Sequence, residues 1–477
     1  MDDGAGFSAR RIFQSALQQQ QQPRRTVDVG ALDARVVRVS IAGASRIRPA
    51  VLDRLSHRVM MASTVGEIAQ EAREAGGRLQ ALGIAKEARV VMDQATEPES
   101  AGGGGQQGVA VDVGLECTDG PRYSVKTEAG VDDAEGTAGV AARMLNVFGG
   151  GETADIHYSR GTRTQAAFQG VFAAPVDADP HRLLSIAVSQ RLTSRRPYSS
   201  HDEALRELGV AYRAADPARP ASHELAYSLA WRNLCSLGAD ASPTLRAEAG
   251  HSLKSSAWHT VAIDTRDSAR VPTRGSLLRL TSEAAGLADS LGDARFVKAR
   301  AELQANQTLG AGFVVSTGLQ AGILWNLDSR ASRLPDRFFL GGAASVRGFE
   351  LHGIGPRDAN DSVGGDVFYA AGVSLLTPLP LVATPALRGH VWANAGQLAL
   401  LDSRGLLRNT SSHSALASPA APEVRRFLMS PSAAVGVGLV YNHPVVRAEL
   451  SLCFPIAATP TDRPKPGLQF GLGLAFL

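Results

Sequence analysis

From Thr153 onward the sequence alternates apolar and polar residues with period two, and no segment offers the roughly 20 apolar residues that a transmembrane helix requires. In RFVKARAELQAN, Val297, Ala299, Ala301, Leu303 and Ala305 fall on one side of an extended chain, opposite Lys298, Arg300, Glu302, Gln304 and Asn306. VVRAELSLCF sets Val446, Ala448, Leu450, Leu452 and Phe454 against Arg447, Glu449, Ser451 and Cys453. GLQFGLGLAFL sets Leu468, Phe470, Leu472, Leu474 and Phe476 against Gln469, Gly471, Gly473 and Ala475. Alternate side chains of a strand point to opposite faces, so each segment has one apolar and one polar wall. The best helical contender, Val367 to Leu387, is broken by Pro378, Pro380 and Pro385, each of which lacks a backbone donor and clashes with a preceding helical turn.

Two architectures use such strands. A soluble sandwich hides the apolar face in its core. A transmembrane barrel inverts this, presenting apolar side chains to lipid and polar ones to a wet lumen, with about 9 to 11 residues crossing the bilayer per strand. Alternation alone fits either, while long strands, polar faces carrying both signs of charge and a final segment that is itself a strand favour the barrel. Strand-like segments begin near Ala154, Gln165, His181, Ala204, Glu224, Lys254, Leu277, Arg295 and Gly312, then near Asp366, Leu387, Ala433, Val445 and Gly467. Boundaries are least distinct between Ser194 and Ser276.

The N-terminal part reads differently. Residues 1–33, rich in Gln and Arg, are expected to be a disordered tail; they contain no apolar stretch of the kind a secretory signal peptide carries. Residues 34–130 are expected to form a small α+β domain. ARVVRVSIAG (Ala34 to Gly43) is strand-like, Ile68, Ala72, Leu79 and Leu82 recur at helical spacing, and Glu87–Met92 and the run from Gly108 read as two more strands. Residues 131–152 are expected to be a linker and residues 153–477 the barrel.

Composition excludes several functions. The net charge is +3, with basic residues spread along the chain, so no footprint for nucleic acid emerges. Cys117, Cys235 and Cys453 are far apart and lack metal-ligand spacing. Neither a zinc motif, a P-loop nor a nucleophile elbow occurs, and the expectation is a protein without enzymatic activity, metal or cofactor.

One stretch does not read as a strand. RFFLGGAASVRGFE, Arg337 to Glu350, places Arg347 among small residues, within an insertion spanning residues 328–362 between two strands. FFLGGAASVRGFELHGIGPRD resembles the signature loop of the outer-membrane assembly factor (bacterial surface antigen) superfamily, whose V/I-R-G-F/Y motif folds back into the barrel lumen. GIGPRD, Gly353 to Asp358, is similar in particular to the mitochondrial branch, the core barrel subunit of the sorting and assembly machinery. NVFGGGET with YSRGTR, then GHSLKSS, DTRD and VWANAG, match in order. QFGLGLAF fits the mitochondrial β-signal with Gln469, Gly471, Leu474 and Phe476, and the α+β unit resembles a single polypeptide-transport-associated (POTRA) domain.

The resemblance implies an all-β transmembrane barrel of about sixteen antiparallel strands that inserts β-barrel precursor proteins, porins and similar, into the mitochondrial outer membrane. It implies accessory subunits of an assembly complex and the lipid bilayer as partners, and no cofactor. A weak seam is expected between a first strand at about Thr153 to Thr162 and the last at about Gly467 to Phe476, with Gly471 and Gly473 weakening it. In the loop motif of Gly341, Gly342, Val346, Arg347, Gly348 and Phe349, Gly348 permits the turn and Phe349 wedges against the wall. Arg347 needs acceptors, because a buried unpaired guanidinium is costly. Bacterial members offer an aspartate where this chain has Asn394; Glu449 is the preferred partner by charge and facing, Asn394 a second acceptor, and a solvated Arg347 the alternative. A bacterial or plastid member of the superfamily and a passive outer-membrane channel remain as alternative functions.

Overall fold

The computed structural model describes residues 29–43, 45–95, 109–132, 135–286, 292–328, 330–379, 386–401, 420–442 and 447–473. The chain divides into two compact units, residues 1–81 with 85–120, and residues 82–84 with 121–477. The greater part of the expected tail, residues 1–28, lies outside the described residues.

In the first unit, strands β1 (Ala34–Ala42), β2 (Ala85–Gln94) and β3 (Val109–Asp119) form a sheet in the order β1-β3-β2, with β1 and β3 parallel. Helices Pro49–Met61 and Val65–Ala81 accompany it. Val59, Ile68, Ala72 and Leu79 of the helices are fully buried and Val113 and Leu115 of the sheet nearly so, the consequence of apolar residues recurring every three or four positions. The first helix opens with proline, whose fixed φ suits that place. The second starts on a reciprocal cap. Thr64 Oγ1 accepts from the Glu67 N–H at 3.2 Å, and Glu67 Oε2 accepts from the Ser63 N–H at 3.0 Å.

The second unit is one antiparallel sheet of sixteen strands in which successive strands are neighbours. It begins with β4 (Tyr123–Asp132) and β5 (Glu135–Leu145), followed by β6 (Thr153–Gly161), β7 (Thr164–Val176), β8 (Asp179–Ser194), β9 (Asp202–Ala215), β10 (Ala221–Cys235), β11 (Gly250–Asp264), β12 (Gly275–Ala285), β13 (Phe296–Gly310) and β14 (Phe313–Asn326). After an insertion that contains the two-residue ladder β15 (Arg357–Asp358) and β16 (Asp361–Ser362), it continues with β17 (Val367–Pro378), β18 (Leu387–Ala399), β19 (Ser432–Asn442), β20 (Arg447–Ala457) and β21 (Gly467–Gly473).

The two strands missing from the sequence reading are therefore β4 and β5, and not strands hidden between Ser194 and Ser276. Residues 123–145, expected to end the small domain and form a linker, belong to the large sheet: Leu145 pairs with Thr153 and Tyr123 with Met144. In YSVKTEAGVD the alternation is present, Tyr123, Val125, Thr127, Ala129 and Val131 against Ser124, Lys126, Glu128, Gly130 and Asp132. Its short β-branched and small residues resemble those of the domain before it, so composition does not mark the boundary, which lies before Tyr123 and not after residue 130.

The sheet is apolar outside and polar inside. On β20, Arg447, Glu449, Ser451 and Cys453 are buried, whereas Leu450 and Phe454 are 44% and 50% exposed. Ile186 and Val188 on β8 and Val437 and Leu439 on β19 are likewise exposed. A sandwich would show the reverse; a barrel wall whose outer solvent is lipid requires this arrangement. No described helix is long and apolar enough to cross a membrane.

Candidate functional site: the lumen loop and its anchors

The insertion between β14 and β17 runs from Leu327 to Asp366, slightly beyond the expected 328–362, and packs against the inner wall. Val346, Phe349, Leu340 and Ile354 of the insertion share a buried cluster with Phe368, Trp392, Leu398 and Ala434 of β17, β18 and β19. Phe349 is 1% exposed and Val346 wholly buried. Small residues make this seating possible. Gly341 and Gly342 take φ of +105° and +123°, and Gly348 takes +85°, a region L side chains rarely occupy. At Gly348 a Cβ would also stand 2.6 Å from the Ala434 side chain, so the position is closed by sterics as well as by conformation.

Arg347 is paired with Glu449. Its Nη2 and Nε donate to the same carboxylate oxygen, Glu449 Oε2, at 2.9 Å and 3.2 Å, and both side chains are 2% exposed. The other oxygen, Oε1, accepts from Arg447 Nη2. The Arg347 guanidinium also lies 5.3 Å from the centre of the Trp392 ring, within cation–π range. Asn394 takes no part: its Oδ1 and Nδ2 are both buried without a hydrogen-bond partner. A neutral amide cannot offset a buried guanidinium, and with a carboxylate in reach the charge goes there. The second acceptor suggested for Arg347 is thus not Asn394, and Arg347 is no solvated loop residue.

The same loop is held by the last strand. Gln469 Oε1 accepts from the Gly348 N–H at 3.0 Å, and Gln469 Nε2 donates to the Phe349 carbonyl at 3.0 Å. Around them Lys465 N donates to Gly348 O at 2.8 Å and Glu350 N to Arg463 O at 3.0 Å, so the loop tip pairs with the β20–β21 connection. Gly471 stands opposite Glu449 in the ladder, and Gly473 opposite Arg447. Leu474, Phe476 and Val446 lie outside the described residues.

Of the other anchors, only Asp358, the last residue of GIGPRD, lies in a motif that the sequence singled out. Asp336 accepts from Arg232 Nη1 of β10 at 2.7 Å, and its carbonyl from Lys298 Nζ of β13 at 2.6 Å. Asp361 accepts from the N–H groups of Ser200 at 2.7 Å and Ser242 at 2.8 Å, and Asp358 from that of Thr244 at 3.0 Å. Asp462 accepts from Gly355 N at 2.9 Å and Thr459 N at 2.8 Å, and from the Ser432 hydroxyl. Carboxylates, three of them buried and Asp358 half-buried, therefore bind the loop to separate parts of the wall and rim. For the rest, the nearest thing to a signal is turn-type composition around them, Pro335 before Asp336, Asn360 and Ser362 flanking Asp361, and Thr461 before Asp462. His352 sits edge-on to Tyr198 at 4.2 Å and Phe339 at 4.9 Å. Burial there, with Arg195 and Arg163 nearby, holds its pKa down to about 3.

The seam is displaced from where it was expected. The sheet ends are β4 and β21; Cα atoms of the two strands come within 8 Å, and no ladder joins them among the described residues. The expected first strand, β6, is the third, with a ladder on each edge.

Fold and loop together define the class: a sixteen-stranded transmembrane β-barrel whose interior holds an inserted loop locked to the final strands. The Omp85 superfamily domain matches residues 146–476. The SAM50-like protein of Schizosaccharomyces pombe is 33% identical, covering 100% of this chain and 97% of that protein. The human sorting and assembly machinery component 50 homolog is 31% identical over 88% of this chain and 85% of its own length. This chain belongs to the Omp85 superfamily and, within it, to the family of the sorting and assembly machinery component 50. Among solved structures, BamA of Haemophilus ducreyi lacking POTRA domains 1–3 shares the fold with a TM-score of 0.73 at 14% identity, covering 92% of this chain and 85% of that one.

Proposed function

We propose that this chain inserts β-barrel precursor proteins into the mitochondrial outer membrane by pairing each incoming strand at the seam between β4 and β21, without enzymatic chemistry or a cofactor. β-Barrel assembly and residence in the mitochondrial outer membrane come with the family. The templating mechanism is physical. In lipid an unpaired backbone N–H or C=O costs several kcal/mol, so a strand entering the bilayer must be paired as it enters. A closed ladder has no edge to offer; adjacent ends offer two.

The observation that carries this reading is the seam itself: two neighbouring end strands, β4 and β21, without a ladder between them among the described residues. The lumen loop grips that last strand through Gln469 and the preceding one through Glu449, so the seating of Arg347 and the state of the seam are mechanically linked. Clients are expected to be porin-like precursors, and accessory subunits of the assembly complex the protein partners.

Reconstitution into liposomes with a radiolabelled porin precursor tests this. Protease-resistant porin is expected only with the chain present, and much less with Arg347→Ala. Normal insertion by a folded Arg347→Ala variant would remove the loop from the mechanism. Conductance without porin insertion would point to a passive channel instead.

A further inference from the structure

After β18 the described chain resumes at a helix, Ala420–Met429, that leads into β19. This helix lies on the outside of the wall. The Tyr369 hydroxyl stands 3.2 Å from the Phe427 carbonyl and 3.0 Å from that of Leu428, and its ring meets Phe427 edge-on at 5.3 Å. Tyr369 belongs to the outer row of β17, in step with Val373, which is 47% exposed, and out of step with the buried Phe368 and Ala370. Gln397, its cross-strand partner on the same face, has a fully covered Oε1 with no hydrogen-bond partner.

The level is that of the membrane rim. Tyr369 is the third residue of β17, at the barrel end from which the lumen loop enters, and the exposed Trp325 lies next to the last residue of β14 at the same end. Outward aromatic rings at strand ends mark the membrane–water boundary. The remaining side chains of the helix fit that place. Val424, Leu428 and Met429 are exposed, Val424 and Leu428 being four apart on one face, and Arg425 and Arg426 are exposed between them. In water three large apolar groups on so short a helix would stay unburied. At the boundary they enter the acyl region while the guanidinium groups remain among phosphates.

We propose that Ala420–Met429 is a membrane-surface foot of the barrel. Arg425 and Arg426 bind the anionic phospholipid headgroups, and Val424, Leu428 and Met429 enter the lipid beneath them. The occupant is the bilayer because the helix continues a wall that already faces lipid, and because its basic pair complements anionic headgroups. The proposal rests on the lipid-facing wall and not on strand templating at the seam.

The test uses the full chain in nanodiscs, with Cys117, Cys235 and Cys453 replaced by serine and a fluorophore on Met429→Cys. Discs contain phosphatidylcholine alone or mixed with phosphatidylserine. Lipid carrying a nitroxide near the top of its acyl chain is expected to quench the probe, more strongly in the mixed discs, while aqueous iodide quenches weakly. Arg425→Glu with Arg426→Glu is expected to lower the lipid-seated fraction in mixed discs by roughly fivefold per arginine, with folding unchanged by heat-modifiable migration. Full iodide quenching in both disc types would overturn the proposal. So would lipid quenching that ignores both composition and charge reversal. Shielding that arises only when accessory subunits are added would assign the helix to a protein partner and likewise overturn it.

Discussion

Gln469 in the last strand brackets the two-residue segment Gly348–Phe349, accepting from the Gly348 N–H at its start and donating to the Phe349 carbonyl at its end, each at 3.0 Å. The polar residue of the β-signal pattern is therefore a structural partner of the lumen loop within the chain's own barrel. Gln469→Ala leaves a buried donor and a buried acceptor without partners, at about 1–3 kcal/mol each. The expected result is a lower midpoint of heat-modifiable migration and faster proteolysis of the loop, with Gln469→Glu keeping only the acceptor half. Unchanged loop protection in Gln469→Ala would refute the clamp.

The charge relay of Arg347, Glu449 and Arg447 is asymmetric, and variants should reveal it. Arg347→Met leaves Glu449 with Arg447 as its ion partner, whereas Glu449→Gln strips the carboxylate from two buried guanidinium groups. Removing one member of a buried pair costs about 3–5 kcal/mol. Glu449→Gln is expected to be the more destabilising, and a double-mutant cycle of Arg347 with Glu449 to show strong coupling by denaturant unfolding. Additive effects would contradict direct pairing.

Gly348 is closed by two separate constraints, so its rescue should be partial. Gly348→Ala meets both the cost of positive φ, roughly 1–2 kcal/mol, and the Ala434 side chain at 2.6 Å. Adding Ala434→Gly relieves only the clash. The double variant is expected to regain part of the loop protection in hydrogen exchange, and complete recovery would show that conformation contributes nothing.

Acid should loosen the loop at His352. Its pKa is held near 3 in the fold, against about 6.5 when unfolded. Between those values the unfolded chain binds the proton and the folded one does not, so stability is full above pH 6.5 and falls as pH drops toward 3. Proteolysis of the loop at pH 7.5 and 5 in wild type and His352→Gln measures this; the variant is expected to respond less. An identical response would place the sensitivity elsewhere.

The seam offers a further test. A crosslink between cysteines placed in Tyr123–Asp132 and Gly467–Gly473 is expected to leave the barrel folded and stop insertion of radiolabelled porin until it is reduced. A crosslink from β6 to β21 is expected to form poorly, since β6 lies two strands inside the sheet.

Much of this molecule was legible one residue at a time. Alternation such as that from Val297 to Asn306 identified walls with one apolar face, and the glycines around Arg347 marked a loop slim enough for a lumen. Charge and facing pointed from Arg347 to Glu449. These properties are local: a strand's two faces and a glycine's φ range depend on neighbours in sequence. The position of the first strand was not local. YSVKTEAGVD alternates whether it closes a small domain or opens a barrel, and only its pairing with Glu135–Leu145, and of that strand with β6, decides.

The sequence by itself determined a β-wall with an apolar and a polar face, a small α+β unit before it, and an arginine that had to find a buried acceptor. Which face met lipid, where the seam lay, and that Asn394 stood idle while Glu449 divided its oxygens between two arginines were decided by the tertiary structure. The reason is that pairing partners separated by 102 residues, as Arg347 and Glu449 are, meet only once the sheet has curled around the loop, and neither residue's neighbours in the chain record that meeting.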